Sequence, residues 1–389
     1  MPTNPTILTD AVLLGMAERA AGYDRENKFF HEDFADLRKS GYLTMAVPKE
    51  LGGAGLNLLE SGRQTRRLAY HAPATALGTN MHIYWTGIAA DLWRMGDRSL
   101  EWLLQDAVAG EVFNAGHSER GNDLPVLLST SKAEKVDGGF RFTGHKMFGS
   151  LMPVWTRYGL HGMWADAPGG PQIVHAFMPR DTAGYRIVET WDTLGMRATR
   201  SDDIVLEGAF VPDRMIARMV PAGGADVFVL ALFAWGLLGF GNVYCALAQK
   251  AIDTVVPGLK AKSALAVSRS MAYHPGIQHA VAEMRLALDP VAPLLDKVAS
   301  DWATGVDHGH GWPAQIVSAK YHAVEACWRV ADLAMELSGG GGMFRGTELE
   351  RIFRDARCGR FHPANTFLTH EIVAKTTLGI GLDEQPRWG

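Results

Sequence analysis

Cysteine is scarce: Cys245, Cys327 and Cys358 are the only three in 389 residues. They form neither a paired disulfide framework nor a zinc-ligand spacing, so the chain reads as a protein of a reducing compartment, cytoplasmic and without a structural metal. Clustered positive charge is also missing. The net charge is −4, and no face or tail is dominated by Lys and Arg, which argues against nucleic acid as a partner. The first ten residues, MPTNPTILTD, lack the basic and apolar blocks of a signal peptide. The most apolar run, Val227 to Gly241, falls short of the ~20 residues of a membrane span and reads as a buried helix. Internal repeats and low-complexity segments are absent. What remains, 47% apolar and 21% charged residues, suits a soluble globular chain of two or three domains.

Three compositional regimes follow one another. Residues 1–112 carry helical periodicity: Asp10 is placed to cap a helix bearing Leu13, Met16 and Ala17, and Trp85 to Trp93 and Leu100 to Ala109 continue the pattern. Between 113 and 220 the period shortens. Phe140–Thr143, Ile173–Phe177, Tyr185–Val188 and Ile204–Leu206 are β-branched and aromatic runs separated by Gly and Pro, which predicts an antiparallel β domain. Residues 221–389 return to helices, predicted over Phe228–Val256, Gln278–Leu295 and Pro313–Leu337. The last of these ends in Gly339–Gly342, where a glycine run stops the helix and leaves bare N–H groups.

Several phrases resemble the acyl-CoA dehydrogenase superfamily, and the resemblance covers nearly the whole chain. They are the loop Val47-Pro-Lys-Glu-Leu-Gly-Gly-Ala-Gly55, the pair Ser118-Glu119, Gly144-His-Lys-Met-Phe-Gly-Ser150, Leu194-Gly-Met-Arg197 with Val211-Pro212, and Arg354-Asp-Ala-Arg357. The resemblance implies an α+β fold: an N-terminal helical domain, a central antiparallel β domain and a C-terminal four-helix bundle. It implies FAD (FMN as the alternative) held by Ser118, Phe148, Ser150, Arg269, Gly340, Gly341 and Asn365, with Arg197 near the substrate. It also implies a homo-oligomer, tetramer or dimer, in which Gly339–Gly342 meets the flavin of a neighbouring subunit. On the residues alone, Ser118 is equally a loop residue, Phe148 a core residue and Arg269 a surface arginine.

One departure bears on the reaction. In the family a catalytic Glu-Gly-Thr follows the Arg-Asp helix, and those positions here are Pro363, Ala364 and Asn365. Proline supplies neither a carboxylate nor an N–H. Some relatives place the glutamate early in the first bundle helix instead, but Val227–Phe240 contains no carboxylate. Three readings follow. The first, favoured because the flavin-facing phrases are retained, is an acyl-CoA dehydrogenase-type oxidoreductase that acts on an acyl-CoA or related thioester and passes electrons to FAD and on to a protein partner, with His362, Glu371, Glu119 or His117 as replacement base. The second is a two-component monooxygenase fed by a flavin reductase, in which His362 or His82 assists oxygen chemistry. The third is a non-catalytic flavin-binding subunit of a hetero-oligomer.

Overall fold

The fold described is that of a computed structural model, covering residues 6–263, 265, 268–382 and 384. Helices come first: α1 (Asp10–Glu26), α2 (His31–Lys39), α3 (Leu58–His71), α4 (Pro73–Arg94) and α5 (Glu101–Val108). Thr9, rather than the expected Asp10, caps α1, its hydroxyl accepting from Val12 N; Asp10 is the first helical residue. A shorter side chain one position earlier reaches that N–H. Nearly every residue of α4 is buried, as expected of a helix apolar on all sides.

Among the described residues eight strands follow: β1 (Phe113–Gly116), β2 (Lys132–Val136), β3 (Gly139–Lys146), β4 (Arg157–Trp164), β5 (Gln172–Pro179), β6 (Tyr185–Val188), β7 (Asp203–Pro212) and β8 (Ile216–Pro221). They form one sheet in the order β6-β7-β3-β2-β4-β5-β8, with β1 added against β4. The sheet is not wholly antiparallel as predicted, because β1 and the start of β2 pair with β4 in parallel. Those short strands lacked the aromatic density that made the others legible.

The bundle is α6 (Val227–Ala261), α7 (Pro275–Leu288), α8 (Val291–Ala303), α9 (Trp312–Ser338), α10 (Glu348–Cys358) and α11 (Thr366–Leu378). The predicted helix Gln278–Leu295 is two helices, broken at Pro290, which has no N–H to continue the helical hydrogen-bond ladder. Helix α6 runs unbroken for 35 residues, so length does not exclude a membrane span. Burial argues against one, since 83% of its most apolar window is covered by the rest of the chain. Its packing on α4 depends on Gly87, where a Cβ would lie 2.2 Å from the Trp235 ring. Asp91 fastens the same contact, accepting from Trp235 Nε1 (2.6 Å) and from Trp302 Nε1 of α8 (2.8 Å).

The phrase Trp191–Thr199 joins all three parts. Gly195 packs on the Arg354 backbone of α10, where a Cβ would stand 2.6 Å from its carbonyl carbon. Met196 N donates to Asp355 Oδ1 (2.5 Å), and Arg354 reaches Asp24, Glu350 and the Leu194 carbonyl. Glycine at 195 is therefore a packing requirement between the sheet and α10.

Candidate functional site

Just beyond β3 the chain turns sharply and presents an aromatic ring. Met147 N bonds Ser118 O (2.9 Å), Gly149 N bonds Asp202 O (3.1 Å), and between them Phe148 is held at φ 60°. That left-handed backbone is unfavourable for a bulky residue and persists only where its surroundings enforce it. The Phe148 ring is 54% exposed, with Trp191 set edge-on at 6.2 Å. A strained backbone spent on displaying an apolar ring makes a platform for a flat ligand ring. Beneath it, three buried polar atoms have no partner among the described residues: Asn114 Oδ1, His117 Nε2 and the Tyr158 hydroxyl. Platform and spare polar capacity both fit an isoalloxazine.

Ser118 lies at the edge of this turn. Ser150 is almost buried, its hydroxyl 2.7 Å from Ser201 Oγ, which lies 2.7 Å from Thr199 Oγ1. Trp191 ties the platform to the bundle, because the Met196 carbonyl that accepts from its indole (3.4 Å) follows directly on the N–H that binds Asp355.

Glu119, proposed above as a base, is instead one half of a fully buried ion pair with Lys146 (2.5 Å). It also accepts from Ser131 Oγ (2.6 Å), Thr130 N, Ser129 Oγ and Asn122 Nδ2. Burial alone raises its pKa, but the Lys146 charge and these donors outweigh that and hold it at about 2. A carboxylate so fully occupied is not available as a base. Lys146 also donates to His161 Nδ1 (3.3 Å), while His161 Nε2–H donates to the Leu128 carbonyl. His117 is buried beside Tyr84 (3.3 Å), and desolvation keeps it neutral. His82 bridges the Leu43 carbonyl and Phe113 N, which is a structural task.

The loop at 359–365, where the family carries its glutamate, packs on α6 and α9. The ring of His362 stacks on Phe240 (4.7 Å, 17°), and its Nε2 lies 2.7 Å from the Tyr244 hydroxyl. Desolvation, then the Lys320 charge, pushes His362 down to about 3, so it is neutral. Tyr244, raised by burial, keeps its proton, and its hydroxyl has no hydrogen-bond partner but His362 Nε2 among the described residues; donating there leaves the ring proton on Nδ1. Lys320 is buried beneath and donates to the carbonyls on either side of Pro363, His362 O (3.1 Å) and Ala364 O (2.9 Å). Tyr244, Lys320 and Phe240 escaped sequence reading because only the fold brings α6 and α9 under this loop.

The remaining candidates are placed elsewhere or engaged otherwise. Arg197 donates to Asp24 O, Asp192 and Thr193 O, bracing α1 against the sheet domain. Asn365 caps α11 through Leu368 N (3.0 Å). Glu371 pairs with Lys375 (3.1 Å). Arg269 is exposed and lies over Tyr273, and Gly340 and Gly341 face open space in the turn after α9. A cavity of about 360 Å³ lies on the other side of α6 from Phe240, between α3 and α7, where Arg63, Arg67 and Arg285 are already paired with aspartates.

Two family models match, the acyl-CoA dehydrogenase N-terminal domain over residues 14–100 and the C-terminal domain over 224–375. L-evernosamine nitrososynthase from Micromonospora sp. is 26% identical over 383 residues, 97% of this chain and 90% of that protein. The mitochondrial isovaleryl-CoA dehydrogenase of Arabidopsis thaliana is 27% identical over 322 residues, 80% of this chain and 75% of its own. The solved structure of KijD3 in complex with FMN and dTDP-3-amino-2,3,6-trideoxy-4-keto-3-methyl-D-glucose superposes with a TM-score of 0.84 at 25% identity, covering 97% of this chain and 93% of that one. Helices, sheet and bundle in that order, with both helical parts matched by the family's own domains, carry one conclusion: the chain belongs to the acyl-CoA dehydrogenase family and is a flavoprotein oxidoreductase.

Proposed function

We propose that the chain is a flavin-dependent monooxygenase of this fold, oxygenating the amino nitrogen of a small substrate. The observation that carries the reading is the loop at 359–365. Counted along the family's phrase, Pro363 occupies the position of the dehydrogenase base, and the early part of α6, Val227–Phe240, where some relatives carry it instead, contains no carboxylate. Neither place offers a carboxylate to remove an α-proton. Losing a base costs roughly 10²–10⁴ in rate, and losing an oxyanion donor a further ~10²–10³, so α,β-dehydrogenation of an acyl thioester is poorly served. N-oxygenation needs no such base: amine, dioxygen and reduced flavin give hydroxylamine, water and oxidised flavin. Relatives named as a nitrososynthase and an N-hydroxylase add support.

The cofactor of this reading is FMN or FAD, delivered reduced by a separate flavin reductase. Phe148 supplies the face for the ring, and Ser118 and Ser150 supply its polar contacts. Exposed Met343, Phe344, Phe361 and Phe367 support burial against a second copy, hence a homo-oligomer. Three free cysteines, two of them buried, favour a cytoplasmic setting.

Incubation with a flavin reductase, NADH, oxygen and an amino-sugar nucleotide or alkylamine should yield a product heavier by one oxygen. Anaerobic bleaching of bound FAD by acyl-CoA, with no oxygenated amine, would return the chain to the dehydrogenase reading. Phe148→Ala is expected to weaken flavin binding about tenfold, the scale of one aromatic contact, with Ser118→Ala weakening it less. Unchanged dissociation constants in both variants would remove the platform from the site.

A further inference from the structure

The hydroxyls of Thr199, Ser201 and Ser150 form a chain whose direction is fixed at one end. Thr199 Oγ1 lies 2.9 Å from the Met196 carbonyl oxygen, which can only accept, so the Thr199 proton points there. Each hydroxyl has a single proton. Ser201 must then donate to Thr199 Oγ1 (2.7 Å), and Ser150 must donate to Ser201 Oγ (2.7 Å). All three residues are buried, so water does not compete for these protons. Ser150 is left with lone pairs only for anything beyond the chain. Reversing the chain would forfeit the Thr199–Met196 bond.

We infer that Thr199 and Ser201 are positioning residues that hold Ser150 as a hydrogen-bond acceptor and thereby bias the site towards reduced flavin. The inference rests on the proposed role of Ser150 as a flavin contact, with its hydroxyl at the ring nitrogen N5, the position that the family resemblance implies. Oxidised flavin offers an unprotonated N5, itself an acceptor, whereas reduced flavin carries an N–H there. An acceptor-only hydroxyl is matched to the second form and opposed to the first. This suits an enzyme that takes up reduced flavin from a reductase, and it locates the selectivity in two residues remote from the ring in sequence.

The test is a pair of anaerobic titrations of the full-length, flavin-free protein, one with oxidised and one with dithionite-reduced FMN. Wild type is expected to bind the reduced form more tightly. Thr199→Val and Ser201→Ala release the chain, so the ratio of oxidised to reduced dissociation constants should fall roughly five- to tenfold, the scale of one hydrogen bond. Thr199→Ser keeps the hydroxyl and should keep the ratio. Parallel weakening of both redox forms, or an unchanged ratio in both variants, would overturn the inference and leave these hydroxyls a packing role. A wild-type protein that binds flavin but prefers the oxidised form would overturn it too. Failure to bind flavin in either form would bring down the proposed function as well.

Discussion

Lys146→Met is expected to destabilise the protein by about 3–5 kcal/mol, read as a lowered urea midpoint of the sheet domain. The Lys146 ammonium and the Glu119 carboxylate are both fully buried and 2.5 Å apart. Removing the cation strands a carboxylate away from water, and the stranded charge rather than the lost attraction dominates the penalty. A Glu119→Gln/Lys146→Met double variant should therefore recover much of the loss. The pH dependence gives a second readout. Glu119 sits at about 2 in the fold against 4.5 when unfolded, so its stabilisation is complete above about pH 4.5 and is lost as pH falls towards 2. The methionine variant should lose that acid arm. A variant as stable as wild type, with the acid arm intact, would show that the pair does not hold this part of the sheet together.

The pair also shows what the sequence discloses and what it withholds. Both residues sit inside phrases that read as family marks, Ser118-Glu119 and Gly144-His-Lys146, yet nothing local says that they meet. They are 27 positions apart, and it is the Ser118–Met147 bridge that brings them together. Local signals were read well where they were strong. The helix–sheet–helix order, the end of α9 at the glycine run and the strands around Phe140, Ile173 and Ile204 follow from periodicity and breakers. The break at Pro290 was legible too, but the apolar period running through it masked it. The phrases mark Arg197 and Asn365 as ligand-binding residues without disclosing their bracing contacts, a carbonyl on α1 and the first turn of α11. A motif records that a residue type is needed at a position; the tertiary contact decides whether for binding or for bracing.

His362→Ala is expected to lower turnover by about 10²–10³, and the manner of the loss matters as much as its size. A general base works best with a pKa near the working pH, and His362 at about 3 is far below it. Its arrangement suits a different task. The Tyr244 hydroxyl donates to Nε2, so the ring is a fixed tautomer that offers Nδ1–H, and stacking on Phe240 fixes its plane. A neutral, oriented donor can stabilise developing negative charge without taking a proton. The pH–rate profile should accordingly show no ionisation between pH 5 and 8 that disappears in His362→Ala. Tyr244→Phe removes the hydroxyl that sets the tautomer and should lower turnover less than removal of the ring, with the Michaelis constant little changed. Lys320→Met should act through the loop, since it deletes the two hydrogen bonds flanking Pro363, and should raise the Michaelis constant as well. An ionisation near pH 6–7 that vanishes with His362 would identify it as a proton acceptor.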